Sequence, residues 1–431
     1  MTAVDHIFHS WSAPVQPEIA SAGGRHFTDV EGNRYLDLAS QFVYTNVGHQ
    51  HPAVVSAIVR QAETLCTIAP PFANPARSEA ARLIAERAPG DLNRVFFTNG
   101  GADAVENAVR LAKLHTGRTK VLAAYRSYHG NTATAIQLTG DPRRWPNEIS
   151  VPGVVHFFGP YLYRSTFSAR TEAEESERAL RHLERVITME GPGTVAAIVL
   201  ETVPGTAGVL VPPDGYLAGV RELCDRYGIL LISDEVMCGF GRVGEWFAVD
   251  RWGITPDLIT FAKGVNSGYV PLGGVVISDR VAATFDKRPF PGGLTYSGHP
   301  LACAAAVATL AVMADEDVVG NARRVGSDVL APGLREIAAR HDIVGEVRGL
   351  GVFWAVELVR DRHTREPLVP YNASGADKAP MTRVLAEFRE RGAWPLTVDN
   401  RIHIAPPCTI TDSEAGDALT ILDDVLKVVS W

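Results

Sequence analysis

Short apolar runs alternate with amphipathic stretches from about residue 60 to residue 320, and this alternation constrains the fold more than any other feature of the chain. Apolar residues recur at three- and four-residue steps in the amphipathic stretches, which predicts helices such as 102–115 and 173–187. The apolar runs are predicted to be strands at 95–98, 121–125, 196–201, 230–234, 258–263 and 273–278. Because uninterrupted apolar strands are buried on both faces, we predict an α/β fold with a mostly parallel, helix-flanked sheet.

The two ends of the chain have a different pattern. Residues 25–38 are predicted to form a hairpin with its turn at 31–33, while 349–359 and 401–404 are predicted strands and 411–429 a closing helix. The chain of 431 residues exceeds the usual size of one domain. We therefore expect a large domain at 61–320 and a small α+β domain built from both ends, 1–60 and 321–431.

Composition disfavours several classes of function. The net charge of −8 argues against a nucleic-acid or anionic-membrane partner, since both require a basic surface. No run approaches the roughly 18 apolar residues that span a bilayer, and the first residues lack the pattern of a signal peptide. The five cysteines are far apart and in apolar contexts, which favours reduced thiols over disulfides or a zinc site. We expect a cytoplasmic protein without a metal.

Two predicted strands end in residues that carry chemistry. The apolar run at 230–232 leads into Asp234 and Glu235, and a buried acid needs a positive partner. A metal would require further ligands nearby, whereas a protonated ring nitrogen would require only Asp234. The next strand ends in Lys263, followed by glycine. An amine in an apolar pocket has a lowered pKa and attacks carbonyls, although an exposed lysine is the common alternative.

Two further strand ends carry residues that could bind an anion and a flat ring of a ligand. Gly100, Gly101 and Ala102 lead from a strand into a helix, where free backbone amides suit a phosphate. A glycine-rich connection without a ligand is the alternative, and the Gly-Lys-Ser/Thr ending of a nucleotide P-loop is missing. Tyr128 and His129 follow the strand at 121–125. An aromatic side chain there could stack on a flat ring or lie on the surface beside a turn. In an open parallel sheet, ligands bind beyond the carboxyl ends of the strands.

A dinucleotide site is a weaker hypothesis. Residues 239–244 match G-x-G-x-x-G and follow a strand. The residues after them do not open a long amphipathic helix, and the acidic pair precedes the glycines instead of following about 20 residues later. We therefore do not predict a nicotinamide site.

Together these residues resemble the class III aminotransferases, within the fold-type I pyridoxal-phosphate enzymes, over essentially the whole chain. The resemblance is carried in order by the following motifs: Asn46 to Pro52, Asp234-Glu235-Val236, Gly239 to Gly244, Ala262-Lys263-Gly264, Thr295 to Pro300 and Pro406-Pro407.

The resemblance implies a role for each residue of the predicted site. Lys263 would hold pyridoxal phosphate as a Schiff base and then act as the acid/base on the substrate carbon. Asp234 would pair with the ring nitrogen. The remaining contacts with the cofactor would be made by Tyr128 and Val236 on the two ring faces, His129 beside them, the amides of Gly101 and Ala102 on the phosphate, and Thr295 on the phosphate of a neighbouring subunit. The last contact implies a homodimer, or a pair of such dimers.

Two departures from the family concern the phosphate and the substrate. Gly100-Gly101-Ala102 stands where many relatives have Ser-Gly-Thr or Ser-Gly-Ser, so a hydroxyl contact is lost. His403 stands where relatives often carry an arginine that binds a carboxylate. Arg401 shares a strand face with His403 and could supply the charge. Glu201 resembles a family glutamate that neutralises such an arginine, and a pair of Arg401 with Glu201 would let one site accept an amine or a carboxylate.

Within the family, the chain is most similar to the ω-amino acid group, including taurine:pyruvate and taurine:2-oxoglutarate aminotransferases. Trp11 and Phe42 are candidates for walls of the substrate channel. The implied reaction moves an amino group from an ω-amino acid or amine to pyruvate or 2-oxoglutarate by a ping-pong mechanism. Two alternatives remain at this point. One is an aminomutase, racemase or decarboxylase on the same scaffold, and the other is a protein that binds pyridoxal phosphate without catalysis.

Overall fold

The computed structural model describes residues 6, 8, 10, 17–148 and 152–429. The strands are β1 Ile19–Gly23, β2 His26–Asp29, β3 Arg34–Asp37, β4 Leu92–Thr98, β5 Lys120–Ala124, β6 Val154–Phe157, β7 Val195–Glu201, β8 Leu230–Asp234, β9 Leu258–Phe261, β10 Gly273–Ser278, β11 Val344–Leu350, β12 Phe353–Asp361, β13 Glu366–Pro367, β14 Ala393–Trp394, β15 Leu396–Val398 and β16 Arg401–Ile404.

The α-helices are α1 Ser40–Val43, α2 Pro52–Thr64, α3 Pro75–Ala85, α4 Gly101–Thr116, α5 Ala133–Leu138, α6 Glu172–Glu190, α7 Tyr216–Tyr227, α8 Asp279–Ala282, α9 Pro300–Asp315, α10 Val318–Val325, α11 Ala331–Arg340, α12 Ala379–Glu390 and α13 Asp412–Val429. Short 3-10 segments lie at Pro142–Asn147, Leu162–Arg164, Pro192–Thr194, Ala248–Trp252, Lys263–Val265, Ala283–Phe285 and Gly375–Lys378, and a π-helical turn joins α10 to α11 at Gly326–Leu330.

A seven-stranded sheet with the strand order β4-β10-β9-β8-β7-β5-β6 forms the centre of the molecule. Its strands are parallel except β10, which is antiparallel to both of its neighbours. Every residue of β7, β8, β9 and β10 is buried, because helices cover both faces of the sheet. The predicted α/β fold with a mostly parallel sheet is therefore confirmed.

The parallel strands bring five chain segments to one edge of the sheet. Their carboxyl ends carry, in spatial proximity, Gly100 after β4, Tyr128 after β5, Glu201 in β7, Asp234 in β8 and Lys263 after β9. Neighbouring strands hold these positions in register: Glu201 lies opposite Asp234, and Asp234 lies opposite Thr260. Residues that are more than a hundred positions apart in sequence thus face the same region.

The chain ends build two smaller antiparallel-rich sheets. One has the order β1-β2-β3-β14, and its last strand, from the C-terminal part of the chain, pairs parallel with β3 from the N-terminal part. The predicted hairpin is present in β2 and β3, where Asp29 accepts hydrogen bonds from the amides of Glu31 and Asn33. The other sheet has the order β11-β12-β16-β15, with β13 paired to β12. The domain boundaries at residues 60 and 320 stay a prediction.

The predicted strand at 349–359 is wrong as a single element. The chain turns at Gly351, whose φ of 54° is in the left-handed region, and residues on either side belong to the antiparallel strands β11 and β12. A Cβ atom at Gly351 would lie 2.5 Å from the carbonyl carbon of Val243, so the turn also requires the absence of a side chain. The strand predicted at 258–263 ends earlier, at Phe261, which leaves Lys263 at the start of a 3-10 turn.

Within the described parts of the chain, no helix is long and apolar enough to cross a membrane.

Candidate active site

Asp234 is a buried carboxylate at the carboxyl end of β8, with 3% of its surface exposed. One oxygen, Oδ1, accepts a hydrogen bond of 3.1 Å from the amide of Val236. The other, Oδ2, lies 2.7 Å from Nδ1 of His129. These two contacts fix the orientation of the carboxylate at the sheet edge, in the position that the sequence predicted.

His129 is buried beside Asp234 and carries a proton more readily than a free histidine. Burial opposes the charged form, but the hydrogen bond and the charge of Asp234 outweigh it and raise the pKa of His129. Its amide donates to the hydroxyl of Thr139 at 3.0 Å, which holds the backbone of the loop. Nε2 is buried and has no partner among the described residues. His129 is therefore a buried support for Asp234, and it holds its proton more tightly than a free histidine does.

Lys263 follows β9 and begins a tight turn with a φ of 46°, a conformation that non-glycine residues seldom adopt and that often marks a functional site. Its side chain is half-buried, and its amine makes no hydrogen bond or ion pair with any residue that the structure describes. Burial lowers the pKa of Lys263, although the charges of Asp234 and Glu201 oppose this change. An amine with a lowered pKa and no internal partner is suited to attack a carbonyl.

The amino end of α4 forms a cradle of backbone amides. Gly101 and Ala102 begin the helix, where the first amides have no acceptor within the helix and the helix dipole is positive. A Cβ at Gly101 would lie 2.9 Å from Cγ1 of Val236, and the Cβ that Gly130 lacks would lie 2.5 Å from that of Ala102. These glycines let the loop after β5 and the segment after β8 approach the helix. The cradle suits a phosphate.

Tyr128 is fixed at the site by contacts of its backbone amide and of its aromatic ring. Its amide donates a 2.8 Å hydrogen bond to Oε1 of Glu201. The guanidinium carbon of Arg143 lies 3.6 Å from the centre of the Tyr128 ring, a close cation–π contact. Arg143 is ion-paired with Asp141 and donates to the hydroxyl of Thr206 at 3.2 Å. Arg143 was not predicted from sequence, because its contact with Tyr128 depends on how two loops fold together.

Glu201 and Arg401 do not form the pair that the sequence suggested. The carboxylate of Glu201 accepts hydrogen bonds from the amides of Tyr128 and Gly205, and burial raises its pKa. Arg401 instead forms an ion pair of 2.7 Å with Asp399, two residues earlier in the chain. The hypothesis of an Arg401–Glu201 pair is therefore corrected: the backbone amides occupy Glu201, and a nearer acid occupies Arg401. Nε of Arg401 is buried without a partner among the described residues.

His403 is buried in β16 and neutral. Burial, with the charge of Arg401, lowers the pKa of His403 to about 3. Its Nε2 lies 3.1 Å from the carbonyl oxygen of Gly205, so it supports the loop that also binds Glu201. A contact of His403 with substrate stays a prediction.

Of three further residues predicted for the site, Trp11 lies outside the described residues, whereas Phe42 and Thr295 are exposed and not buried at the sheet edge. Phe42 is 57% exposed in a segment where Ser40, Gln41 and Val43 all have positive φ. Thr295 is exposed in the loop before α9, and the hydroxyl of Ser297 in the same loop donates to the carbonyl of Phe97 near the end of β4. Thr295 is thus on the surface of the subunit, in a loop that contacts the end of β4.

Arg242 is a buried residue whose importance the sequence analysis missed. It is fully buried, and its guanidinium donates to the carbonyl of Pro406, the hydroxyl of Ser40 at 3.0 Å and Oδ1 of Asn46 at 2.8 Å. The signal was present, since Arg242, Asn46 and Pro406 all belong to motifs of the resemblance. Arg242 joins three distant segments around the site.

These residues fit pyridoxal phosphate. A flat ring with a basic nitrogen, an aldehyde and a phosphate requires a carboxylate, an unpartnered amine and a group of free amides at one edge. Asp234, Lys263 and the start of α4 at Gly101 supply these groups. In the described part of the chain, no cluster of three or more histidine, cysteine or acidic side chains could hold a metal ion.

Comparison with known proteins gives a consistent result. A family model described as aminotransferase class-III matches residues 7–426. A probable aminotransferase of Mycobacterium tuberculosis is 37% identical over 428 residues, which cover 95% of this chain and 89% of the relative. The putrescine–pyruvate aminotransferase of Pseudomonas aeruginosa is 34% identical over 419 residues, with 94% and 89% covered. The crystal structure of taurine:2-oxoglutarate aminotransferase from Bifidobacterium kashiwanohense, in complex with PLP and glutamate, is 41% identical with a TM-score of 0.95, and the match covers 99% of this chain and 96% of that chain.

Proposed function

The chain belongs to the class III aminotransferases, a family of pyridoxal-phosphate enzymes, and on that premise we propose that it moves an amino group from an ω-amino acid or amine to pyruvate or 2-oxoglutarate. The observation that carries this proposal is the convergence of Lys263, Asp234 and the amides of Gly101 and Ala102 at one sheet edge. The similar enzymes act on donors whose amino group lies on a terminal carbon, namely putrescine and taurine, and on pyruvate or 2-oxoglutarate as acceptor.

The chain's own residues divide the work of the reaction. When bound, pyridoxal phosphate supplies a carbonyl that takes up the amino group and a ring that withdraws electrons from the substrate carbon. Asp234, oriented by Val236 and His129, presents a negative charge for the ring nitrogen. The amides of Gly101 and Ala102, at the start of α4, would bind the phosphate.

Lys263 has two tasks. Its amine would hold the cofactor and, once free, would remove a proton from the substrate carbon in the first half of a ping-pong cycle and return one in the second. Burial favours the neutral form that can accept a proton. Tyr128, fixed by Glu201 and Arg143, would support the cofactor ring, and so would Val236.

The proposal includes a homodimer, or a pair of such dimers, and a cytoplasmic location. Thr295 and Tyr296 are exposed on the single subunit, the latter to 64%, in the loop that contacts the end of β4. This position supports a contact of Thr295 with the phosphate of a neighbouring subunit. All five cysteines are free, four of them buried, which supports a reducing compartment.

A half-reaction with the purified enzyme tests the function. Taurine, β-alanine, γ-aminobutyrate, putrescine and an aryl amine are each added to the enzyme without a keto acid, and the absorbance of the bound cofactor is followed. We expect at least one ω-amino acid or amine to convert the cofactor to its amino form without release of CO₂, and pyruvate or 2-oxoglutarate to restore it. Release of CO₂, or no conversion by any donor, would contradict the proposal.

A further inference from the structure

Arg126 lies on the rim of the candidate active site, two residues before Tyr128 at the end of β5. It has a φ of 63° and a half-buried side chain. Its guanidinium carbon lies 5.0 Å from the centre of the Tyr161 ring. It lines a pocket with Tyr161, Pro204 and Glu201, and Glu201 lies opposite Asp234 on the neighbouring strand. The pocket therefore borders the reacting edge of the sheet.

The arginines around Arg126 each have an acidic partner. The guanidinium carbon of Arg348 lies 4.9 Å from the centre of the same Tyr161 ring, and Arg348 pairs with Glu357 at 2.9 Å. Arg164 pairs with Glu357 at 2.6 Å. The same holds for the two arginines nearer the substrate region, Arg401 with Asp399 and Arg143 with Asp141.

Arg126 makes no hydrogen bond or ion pair through its side chain with any described residue. Burial is the main cause that lowers its pKa, and the neighbouring charge of Arg401 adds to this. A half-buried cation without an acid is unfavourable unless a ligand provides the missing negative charge. The guanidinium is also the side chain best suited to bind a carboxylate or sulfonate through two parallel hydrogen bonds.

The position of Arg126 indicates which acid group it can reach. Among the described residues, Arg126 and Glu201 line the same pocket, whereas Lys263 and Asp234 do not line it. Arg126 is thus set apart from the reacting amine, and Glu201, which lies opposite Asp234, stands between the pocket and the reacting edge. An acid group attached next to the reacting carbon would not reach Arg126, but the acid group at the other end of an ω-amino acid or of a dicarboxylic keto acid would.

We propose that Arg126 is a specificity-determining residue that binds the acid group of the substrate at the end remote from the reacting carbon. The inference rests on the proposed function and deepens it. It names the substrate class as acids whose amino or keto group lies at a distance from a carboxylate or sulfonate. Arg126 would hold the remote acid of the donor in the first half-reaction and that of 2-oxoglutarate in the second. Pyruvate has no remote acid and would not use it.

Binding of glutarate to the holoenzyme, measured by titration calorimetry, tests the proposal without requiring turnover. Glutarate has a carboxylate at each end and no amino or keto group. We expect Arg126→Gln to weaken glutarate binding at least about 10-fold, since a hydrogen-bonded charge pair is lost. Arg126→Lys keeps the charge and is expected to recover part of the affinity. The matched control Arg144→Gln removes a charge paired with Glu148 nearby and is expected to change the affinity less than about 2-fold.

A comparison of two donors separates this inference from the proposed function. The half-reaction is measured with γ-aminobutyrate and with n-butylamine, which has the same chain length without the acid group. We expect Arg126→Gln to raise the half-saturating concentration of γ-aminobutyrate at least about 10-fold and to leave that of n-butylamine nearly unchanged. Glutarate binding that is absent in wild type or equal in Arg126→Gln overturns the role of Arg126. A wild-type enzyme that binds glutarate through Arg126 but converts no donor overturns the proposed function and leaves the acid site standing.

Discussion

Nδ1 of His129 lies 2.7 Å from Oδ2 of Asp234, and both side chains are buried. His129 lies in the loop after β5 and Asp234 ends β8, and the sheet brings the two residues together at its carboxyl edge. The contact gives Asp234 a fixed direction and a buried hydrogen-bond partner. It follows that groups of the protein itself orient the carboxylate.

The His129–Asp234 pair makes stability depend on pH in a defined direction. The pKa of His129 is raised in the folded protein relative to an unfolded value of about 6.5. Its contribution to the free energy of unfolding is therefore fully present below about pH 6.5 and is lost as the pH rises through the raised pKa. We expect His129→Leu to reduce the free energy of unfolding by about 2 kcal/mol at low pH and by less at high pH, as measured by urea unfolding of the holoenzyme.

His129→Asn is the matched control for this prediction, because its amide can keep the hydrogen bond to Asp234 without a titratable charge. It should retain more stability than His129→Leu, with little change between low and high pH. A difference between wild type and His129→Leu that grows as the pH rises would contradict the account.

Gly130 is predicted to be essential for the phosphate cradle. It has a φ of 125°, and a Cβ atom there would lie 2.5 Å from the Cβ of Ala102. Gly130→Ala should lower the free energy of unfolding by about 2 kcal/mol or more and weaken binding of pyridoxal phosphate, measured by cofactor titration. Gly117, at the other end of α4, also has a positive φ of 69° but has open space around it. Gly117→Ala should cost about 1 kcal/mol and leave cofactor affinity unchanged. Equal cofactor affinity in both variants would show that the close approach at Ala102 is not needed.

Arg242 is expected to contribute to stability through three hydrogen bonds to distant segments. Arg242→Met leaves the carbonyl of Pro406 and the side chain of Asn46 without their donor in a buried place, at a cost of about 3 kcal/mol in urea unfolding. The control Arg181→Met removes an arginine whose side chain is 70% exposed and should change stability by less than about 0.5 kcal/mol. Similar losses for the two variants would rule out a special role for Arg242.

Subunit mixing tests whether Thr295 acts on the neighbouring subunit. Thr295→Arg and Lys263→Ala should each inactivate the enzyme, since one blocks the partner's phosphate site and the other removes the catalytic amine. A hybrid dimer would contain one intact site, with Lys263 from one subunit and Thr295 from the other. Activity should therefore return when the two variants are unfolded and refolded together. No recovery, with hybrid dimers demonstrated by mass spectrometry, would place Thr295 in its own subunit's site.

Strand ends were the part of this protein that could be predicted best from sequence. Asp234 ends one largely apolar run and Lys263 closely follows another, and such runs are buried strands whose carboxyl ends meet at one edge. The wrong assignment at 349–359 arose because two strands of a tight hairpin are separated only by the turn at Gly351. Apolar residues on both sides concealed this turn.

The partners of charged residues were predicted less well, because they depend on contacts between distant segments. The pair of Arg401 with Glu201 was inferred from resemblance, whereas the structure pairs Arg401 with Asp399. This pair could have been anticipated, since the two residues are separated by a single position. That Arg126 has no acidic partner among the described residues could not have been anticipated. The lack of a nearby acid depends on all the segments that surround Arg126 and not on one of them.

The most direct test of the central claim, that Lys263 holds the cofactor, is reductive trapping. Borohydride reduces a Schiff base to a stable secondary amine, so the cofactor becomes permanently attached to the residue that carried it. Peptide mass spectrometry of the reduced wild-type holoenzyme should find the phosphopyridoxyl group on Lys263, and Lys263→Ala should show no such attachment and no conversion of donors. A phosphopyridoxyl group on another lysine, or a Lys263→Ala variant that still converts donors at the wild-type rate, would contradict the account.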